Sequence, residues 1–227
     1  MDNTLHFQFK KMIKKFLTVN RKARYFQLGK ATQKISNVWV VLHGYGMLSE
    51  FFIKKFKNLE SNNTLIIAPE GLNMFYLDGK YQRVGASWIT KEEREKDIEE
   101  NIDYLNSLLE VIYNEVGHRN ITFNVLGFSQ GGATACRWIF KSDMIVKNLI
   151  LWAGDIPKDT LTKENKIKWE SINTHLVMGE KDNLINESIR AKFISLVSEY
   201  GLKYNLTVYD GDHRVYPDVL TKLAKTF

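Results

Sequence analysis

Six short apolar runs, each broken off by Gly, Pro or Asp, constrain the fold of this chain more than any other feature. Val38–Leu42 leads into Gly44-Tyr45-Gly46, and the run from Thr64 to Ala68 is stopped by Pro69. The runs 121–126, 148–153 and 174–178 end at Gly127, Gly154 and Gly179, and 206–209 ends at Asp210-Gly211. Several are continuously apolar, the pattern of strands covered on both faces in a parallel sheet. Helical patterns fall between them, at about 49–58, 90–117, 130–142, 186–199 and 217–226. The clearest opens on Thr90-x-x-Glu93, which reads as a capping box, with acids in its early turns. Ile98, Ile102, Leu105, Leu109, Ile112 and Val116 then form one stripe, and Gly117 is the expected stop. Strands alternating with helices predict an α/β fold: a mostly parallel central sheet with helices on both faces. The segment 18–28 is expected to add one or two antiparallel edge strands. No repeat, low-complexity tract or Pro/Ser-rich linker divides the chain. Its 227 residues therefore predict one domain over 18–227, preceded by an extension at 1–17.

Charge is unevenly spread along the chain. The formal net charge is +6, which by itself invites a nucleic-acid or membrane-surface partner. Nine of the basic residues, but only one acid (Asp2), fall in residues 1–34, so the remainder of the chain carries a net −2. The basicity belongs to an arm, and no nucleic-acid partner is expected. If helical, 9–17 would carry an amphipathic stripe of Phe9, Met12, Ile13, Phe16 and Leu17, leaving a weak membrane-surface contact open to the arm. No apolar run approaches the length of a bilayer span, and the first 15 residues lack the apolar stretch of a secretory signal. The expectation is a soluble, cytoplasmic protein. A single Cys, Cys136, excludes an internal disulfide and a cysteine-rich zinc module; it reads as a small buried hydrophobe.

The chemistry concentrates at Gly127-Phe-Ser129-Gln-Gly131. The motif is short, but an apolar strand precedes it and a helix of small residues follows, as a nucleophile elbow requires. A hydroxyl needs a base to attack at neutral pH. Of His6, His43, His118, His175 and His213, only His213 sits in a loop after the last strand, in the chain order Ser, acid, His. His175 lies within an apolar strand and is expected to be a hydrogen-bonded core residue. The acid that orients the imidazole is expected at Asp182, after the fifth strand, with Asp155, after the fourth, as its rival. Oxyanion stabilisation needs two N–H donors. Gln130, following the nucleophile, and Tyr45, in the loop after 38–42, are the candidates, with His43 bracing that loop. Gly44-Tyr-Gly46 lacks the third Gly of a dinucleotide loop, because position 49 is Ser. No metal and no organic cofactor is expected.

Leu42-His-Gly-Tyr-Gly46, Gly127-Phe-Ser-Gln-Gly-Gly132, Gly179-Glu-Lys-Asp182 and Gly211-Asp-His213 occur in an order similar to that of the α/β-hydrolase superfamily. Within it, the chain resembles the small serine esterases of the phospholipase/carboxylesterase family, which includes acyl-protein thioesterases, over roughly residues 18–220. The resemblance implies a Ser129–His213–Asp182 triad with Tyr45 and Gln130 as backbone donors. Two positions depart from the thioesterase pattern: Met47 stands where an Asp is usual, and Asp212 where a Gly precedes the catalytic His.

The expected reaction is hydrolysis of carboxylic esters, or thioesters, of small to medium acyl groups through an acyl-enzyme. An acyl-protein thioesterase or lysophospholipase activity is the alternative, and a non-catalytic hydrolase-fold binding module stands further off. Peptidase and acyltransferase chemistry also use this fold. Candidate substrate contacts at the sheet's carboxyl edge are Met47, Phe75, Tyr76, Trp88, Trp152 and Ile156; core packing is the competing reading for the aromatic residues. The acyl group, the leaving group and the oligomeric state are not legible.

Overall fold

The computed structural model describes residues 12–227. In chain order the elements are β1 (Tyr25–Leu28), β2 (Asn37–Leu42), α1 (Ser49–Phe52), which runs on into a 3₁₀ turn at Ile53–Leu59, and β3 (Thr64–Pro69). There follow β4 (Asn73–Tyr76), β5 (Val84–Ser87), α2 (Arg94–Val116), β6 (Thr122–Phe128), α3 (Gln130–Phe140) and β7 (Val146–Trp152). A 3₁₀ turn at Lys158–Thr160, α4 (Lys166–Glu170), β8 (Asn173–Gly179), α5 (Glu187–Tyr200), β9 (Asn205–Tyr209) and α6 (Pro217–Ala224) complete it.

Seven strands form one sheet in the order β1-β3-β2-β6-β7-β8-β9. All neighbours are parallel except β1, which pairs antiparallel with β3, so the 18–28 segment supplies a single edge strand. Side chains of a strand point alternately to its two faces, and here both faces are covered. Val38, Val40 and Leu42 face α2, α3 and α5, in a core shared with Leu105, Trp138 and Val197. Trp39 and Val41 face the other way, toward Phe52, Phe56, Leu220 and Leu223 of α1, its 3₁₀ extension and α6. The continuous apolar runs of the sequence follow from that double burial.

The chain reverses its direction of travel across the sheet between β2 and β6, which are neighbours. Crevices for ligands form at such a switch point, beyond the carboxyl ends of the strands. The loop after β2 carries Tyr45, and the turn after β6 carries Ser129.

Three local expectations need correction. The helix after Thr90 starts at Arg94, with Glu93 as its N-cap and no side-chain capping bond there. Thr90 instead donates its N–H and its hydroxyl to Asp97 Oδ2, at 2.6 and 2.8 Å, so an acid one turn further on takes the place of the capping box. The sequence pattern predicts no strand between the run ending at Ala68 and Thr90, yet β4 and β5 form there and pair as a two-stranded antiparallel hairpin. No helix forms over residues 12–17, so the stripe imagined there is not assembled; Phe9, with the rest of 1–11, lies outside the described residues. Met12, Ile13 and Leu17 are exposed, while Phe16 has Lys14 and Lys96 over its ring and Lys14 pairs with Glu93. Among the described residues no helix is long and apolar enough to cross a membrane.

Candidate active site

Ser129 sits between β6 and α3 with φ +52° and ψ −120°. A non-glycine residue with positive φ is strained by about 1–3 kcal/mol and persists only where its surroundings hold it. Ser129 N–H donates to Trp152 C=O at 2.9 Å, and its own C=O accepts from Gly132 N–H at 2.9 Å. The turn also demands bare backbone. A Cβ on Gly127 would lie 2.4 Å from Gly132 Cα, and one on Gly131 would lie 2.4 Å from Leu42 C=O. Both Gly residues of the motif are therefore required by the closeness of α3 to β6 and to the end of β2.

His213 lies in the loop between β9 and α6. Its Nδ1 is 2.7 Å from Asp182 Oδ2, and its ring packs 4.9 Å from that of Phe128. Asp182 is buried, and its Oδ1 accepts from the N–H of Leu184 at 2.9 Å and of Ile185 at 3.2 Å. Backbone bonds from Glu180 N–H to Tyr209 C=O (2.9 Å) and from Lys181 N–H to Gly211 C=O (3.0 Å) strap the two loops together. The rival acid, Asp155, does not reach His213; its Oδ1 accepts from Ile156 N–H at 2.8 Å. Desolvation at its place in a concave wall pushes the Asp155 carboxyl above the usual range. The Asp212 departure has a local reason: Tyr216 Oη donates to Asp212 Oδ1 at 2.9 Å, which ties the loop to the start of α6.

The loop after β2 approaches Ser129 from the other side. A Cβ on Gly44 would come within 3.3 Å of Ser129 Cβ. His43 is fully buried, and its Nε2 accepts from Gly71 N–H at 3.0 Å. That leaves the proton on Nδ1, which donates to Gly44 C=O at 2.7 Å. Burial holds this imidazole below its ordinary pKa, so it braces the loop in neutral form. Among the described residues, neither Tyr45 N–H nor Gln130 N–H donates to a protein acceptor. The Gln130 side chain is engaged instead. Its Oε1 accepts from Trp88 N–H (3.0 Å) and its Nε2 donates to Ile89 C=O (2.9 Å), pinning the start of α3 to the end of β5.

Ser129 and His213 line one cavity of about 750 Å³. No hydrogen bond joins Ser129 Oγ to His213, a looseness common before substrate tightens the site. The cavity runs under α5, where Leu184, Ile185, Ile189, Phe193 and Leu196 form its apolar wall. The sequence reading overlooked these residues. Their signal was present in the Leu-Ile pair two residues beyond Asp182 and in apolar positions spread over more than one face of 186–199.

The substrate contacts expected from sequence fare differently. Trp88, Trp152 and Ile156 are buried and do not line the cavity, so the expectation for them is corrected to core packing. Trp88 donates Nε1–H to His43 C=O at 2.8 Å, and Trp152 Nε1 bonds Tyr209 Oη at 2.9 Å, so both hold loops in place. Met47, Phe75 and Tyr76 lie on the β2-loop and hairpin side, outside the cavity wall. Tyr45 is exposed, and its ring packs at a tilt 5.0 Å from that of Phe75. Met47 is bridged to Ala86 of β5, so the hairpin is a brace for the β2 loop.

The sequence profile of one family, described as phospholipase/carboxylesterase, matches residues 23–227. A search of curated protein sequences finds no match to the chain. Among solved structures, acyl-protein thioesterase 2 from Zea mays superposes with a TM-score of 0.69 at 16% identity, covering 90% of this chain and 97% of its own. A carboxylesterase from Mesorhizobium loti gives 0.65 at 14%, covering 89% and 94%. The Bacillus cereus carboxylesterase gives 0.61 at 15%, covering 91% and 94%. At these identities the likeness establishes the α/β-hydrolase fold.

Proposed function

Because the chain belongs to the phospholipase/carboxylesterase family, we propose that it is a serine hydrolase that cleaves carboxylic esters or thioesters with Ser129, His213 and Asp182. The observation that carries this reading is the 2.7 Å bond between His213 Nδ1 and a buried, twice-anchored Asp182 carboxylate. A carboxylate there keeps the proton on Nδ1 and turns a bare Nε2 toward the cavity that holds Ser129. Nε2 takes the Oγ proton as Oγ attacks the carbonyl carbon. The oxyanion forms against the unpaired N–H groups of Tyr45 and Gln130. The imidazolium returns the proton to the leaving oxygen or sulfur, giving the free alcohol or thiol and an acyl-Ser129. Water then repeats the attack with Nε2 as base, releasing the acid and restoring Ser129.

The test is labelling by a fluorophosphonate probe together with hydrolysis of an aryl ester. Wild-type protein is expected to label at Ser129. The Ser129→Ala variant should not label and should lose about 10³-fold or more in kcat. Near-normal turnover by that variant overturns the reading.

A further inference from the structure

We propose that the cavity under α5 receives the group carried on the leaving oxygen or sulfur, and that this group is uncharged and chiefly apolar; the inference rests on the Ser129–His213 reading. Around the tetrahedral carbon, the oxyanion is drawn toward Tyr45 and Gln130 N–H, on the side of the β2 loop. The leaving atom must come within hydrogen-bond reach of His213 Nε2 to be protonated. His213 is part of the cavity wall; Ser129, Gln130 and the start of α3 form the mouth of the cavity, and from there it extends along the end of β8, the loops after β7 and β8 and α5. A substituent on the leaving atom therefore starts inside this space. The acyl substituent is left the side of the β2 loop and the hairpin, where the rings of Tyr45 and Phe75 pack together.

The lining settles the chemical class. Ile185, Ile189, Phe193 and Leu196 present alkyl and aromatic surface along the cavity. The charged groups that line it are Asp155 and Glu199 against Lys158 and Lys192, which sum to zero and favour neither an anion nor a cation. A volume of about 750 Å³ accommodates a chain or ring system well beyond a methyl or ethyl group. The preferred substrates are thus esters or thioesters of a hydrophobic alcohol or thiol.

Two ester series on the purified protein separate the halves of the substrate. Acetates of primary alcohols from ethyl to decyl vary the leaving group, and ethyl esters from acetyl to decanoyl vary the acyl group. In the acetate series kcat/KM should rise about threefold to fourfold per methylene until the cavity is filled, the value of burying each CH₂. Ile189→Trp, at a half-exposed position facing the cavity, should cut that rise short and leave the acyl series unchanged. If that variant fails to fold, Leu184→Trp serves the same purpose at another exposed position of the same wall. Fluorophosphonate labelling of Ser129 is measured alongside. With labelling intact, a flat acetate series, or a blocking substitution that shortens the acyl series instead, overturns this inference alone. Absence of labelling overturns the serine-hydrolase reading beneath it.

Discussion

At the scale of single residues, chemistry and burial pull apart side chains that look alike in sequence. Asp182 and Asp155 both follow strands at the carboxyl edge, yet only Asp182 meets an imidazole. Asp182→Asn should cost several orders of magnitude in kcat, because the amide can donate to Nδ1 and favour the wrong tautomer. Asp155→Asn should cost far less, and a parallel kcat comparison of the two variants decides it; a larger loss at Asp155 contradicts the assignment. His175 makes a different point. It is buried as expected of a strand residue, but neither ring nitrogen has a hydrogen-bond partner among the described residues, and the ring packs 4.8 Å from Phe227. That corrects the expectation of a hydrogen-bonded core histidine. Burial holds its pKa below the ordinary value. His175→Phe removes two unsatisfied nitrogens from an aromatic setting, and it should raise the melting temperature measured by circular dichroism.

Among the elements, the β4–β5 hairpin carries the least expected role. Gly46 N–H donates to Ala86 C=O at 2.8 Å, and Ala86 N–H to Met47 C=O at 3.1 Å, so β5 clamps the loop that offers Tyr45 N–H. A Cβ on Gly85 would lie 2.4 Å from Gly46 C=O, with only backbone to yield. Gly85→Ala should therefore shift the β2 loop and lower kcat by about 10²-fold, the typical cost of misplacing one oxyanion donor. Labelling of Ser129 should survive, and far-ultraviolet circular dichroism should confirm the fold. Unchanged kcat contradicts the bracing role. The opposite edge of the sheet holds another device. Asn173 donates to Asn148, Asn148 to Asn124, Asn124 to Asn37, and Asn37 to Thr64 Oγ1, one side-chain chain across five adjacent strands. In the sequence these Asn residues look like poor strand formers. Only the register of the parallel ladders shows that they satisfy one another.

For the molecule as a whole, stability should fall on mild acidification. His43 and His175 are both held below their ordinary pKa, chiefly by desolvation. The unfolded chain therefore takes up protons near pH 6.5 while the folded one does not. Their contribution is intact above that pH and is lost as the pH falls from there toward the folded values. Melting temperatures across about pH 5 to 7 should show the decline, and His175→Phe should flatten it. An unchanged slope in the variant would remove His175 from this account. The arm is expected to be dispensable for chemistry. Its Lys14–Glu93 contact is a surface pair, worth about 0–1 kcal/mol. A protein spanning 18–227 should fold and keep its turnover of a soluble aryl ester. If the exposed Met12, Ile13 and Leu17 meet a lipid surface, that shorter protein should also lose co-sedimentation with anionic vesicles. Loss of folding or activity on truncation would make the arm a structural part of the domain.

Local pattern alone determined the strand runs, the stop at Gly117 and the sharp strand-to-helix turn around Ser129. Each depends on residues close together in the chain: double burial demands apolar runs, and a sharp strand-to-helix turn demands Gly. What only the tertiary structure decided is everything set by distance between remote segments. It placed His213 against Asp182, and not against Asp155, by bringing the β8 and β9 loops together. It moved Trp88, Trp152 and Ile156 from candidate substrate contacts into the core, because a large side chain at a strand end can point inward or outward and only packing selects. It opened the cavity under α5, whose wall is drawn from residues between 129 and 213 and so follows no spacing along the chain.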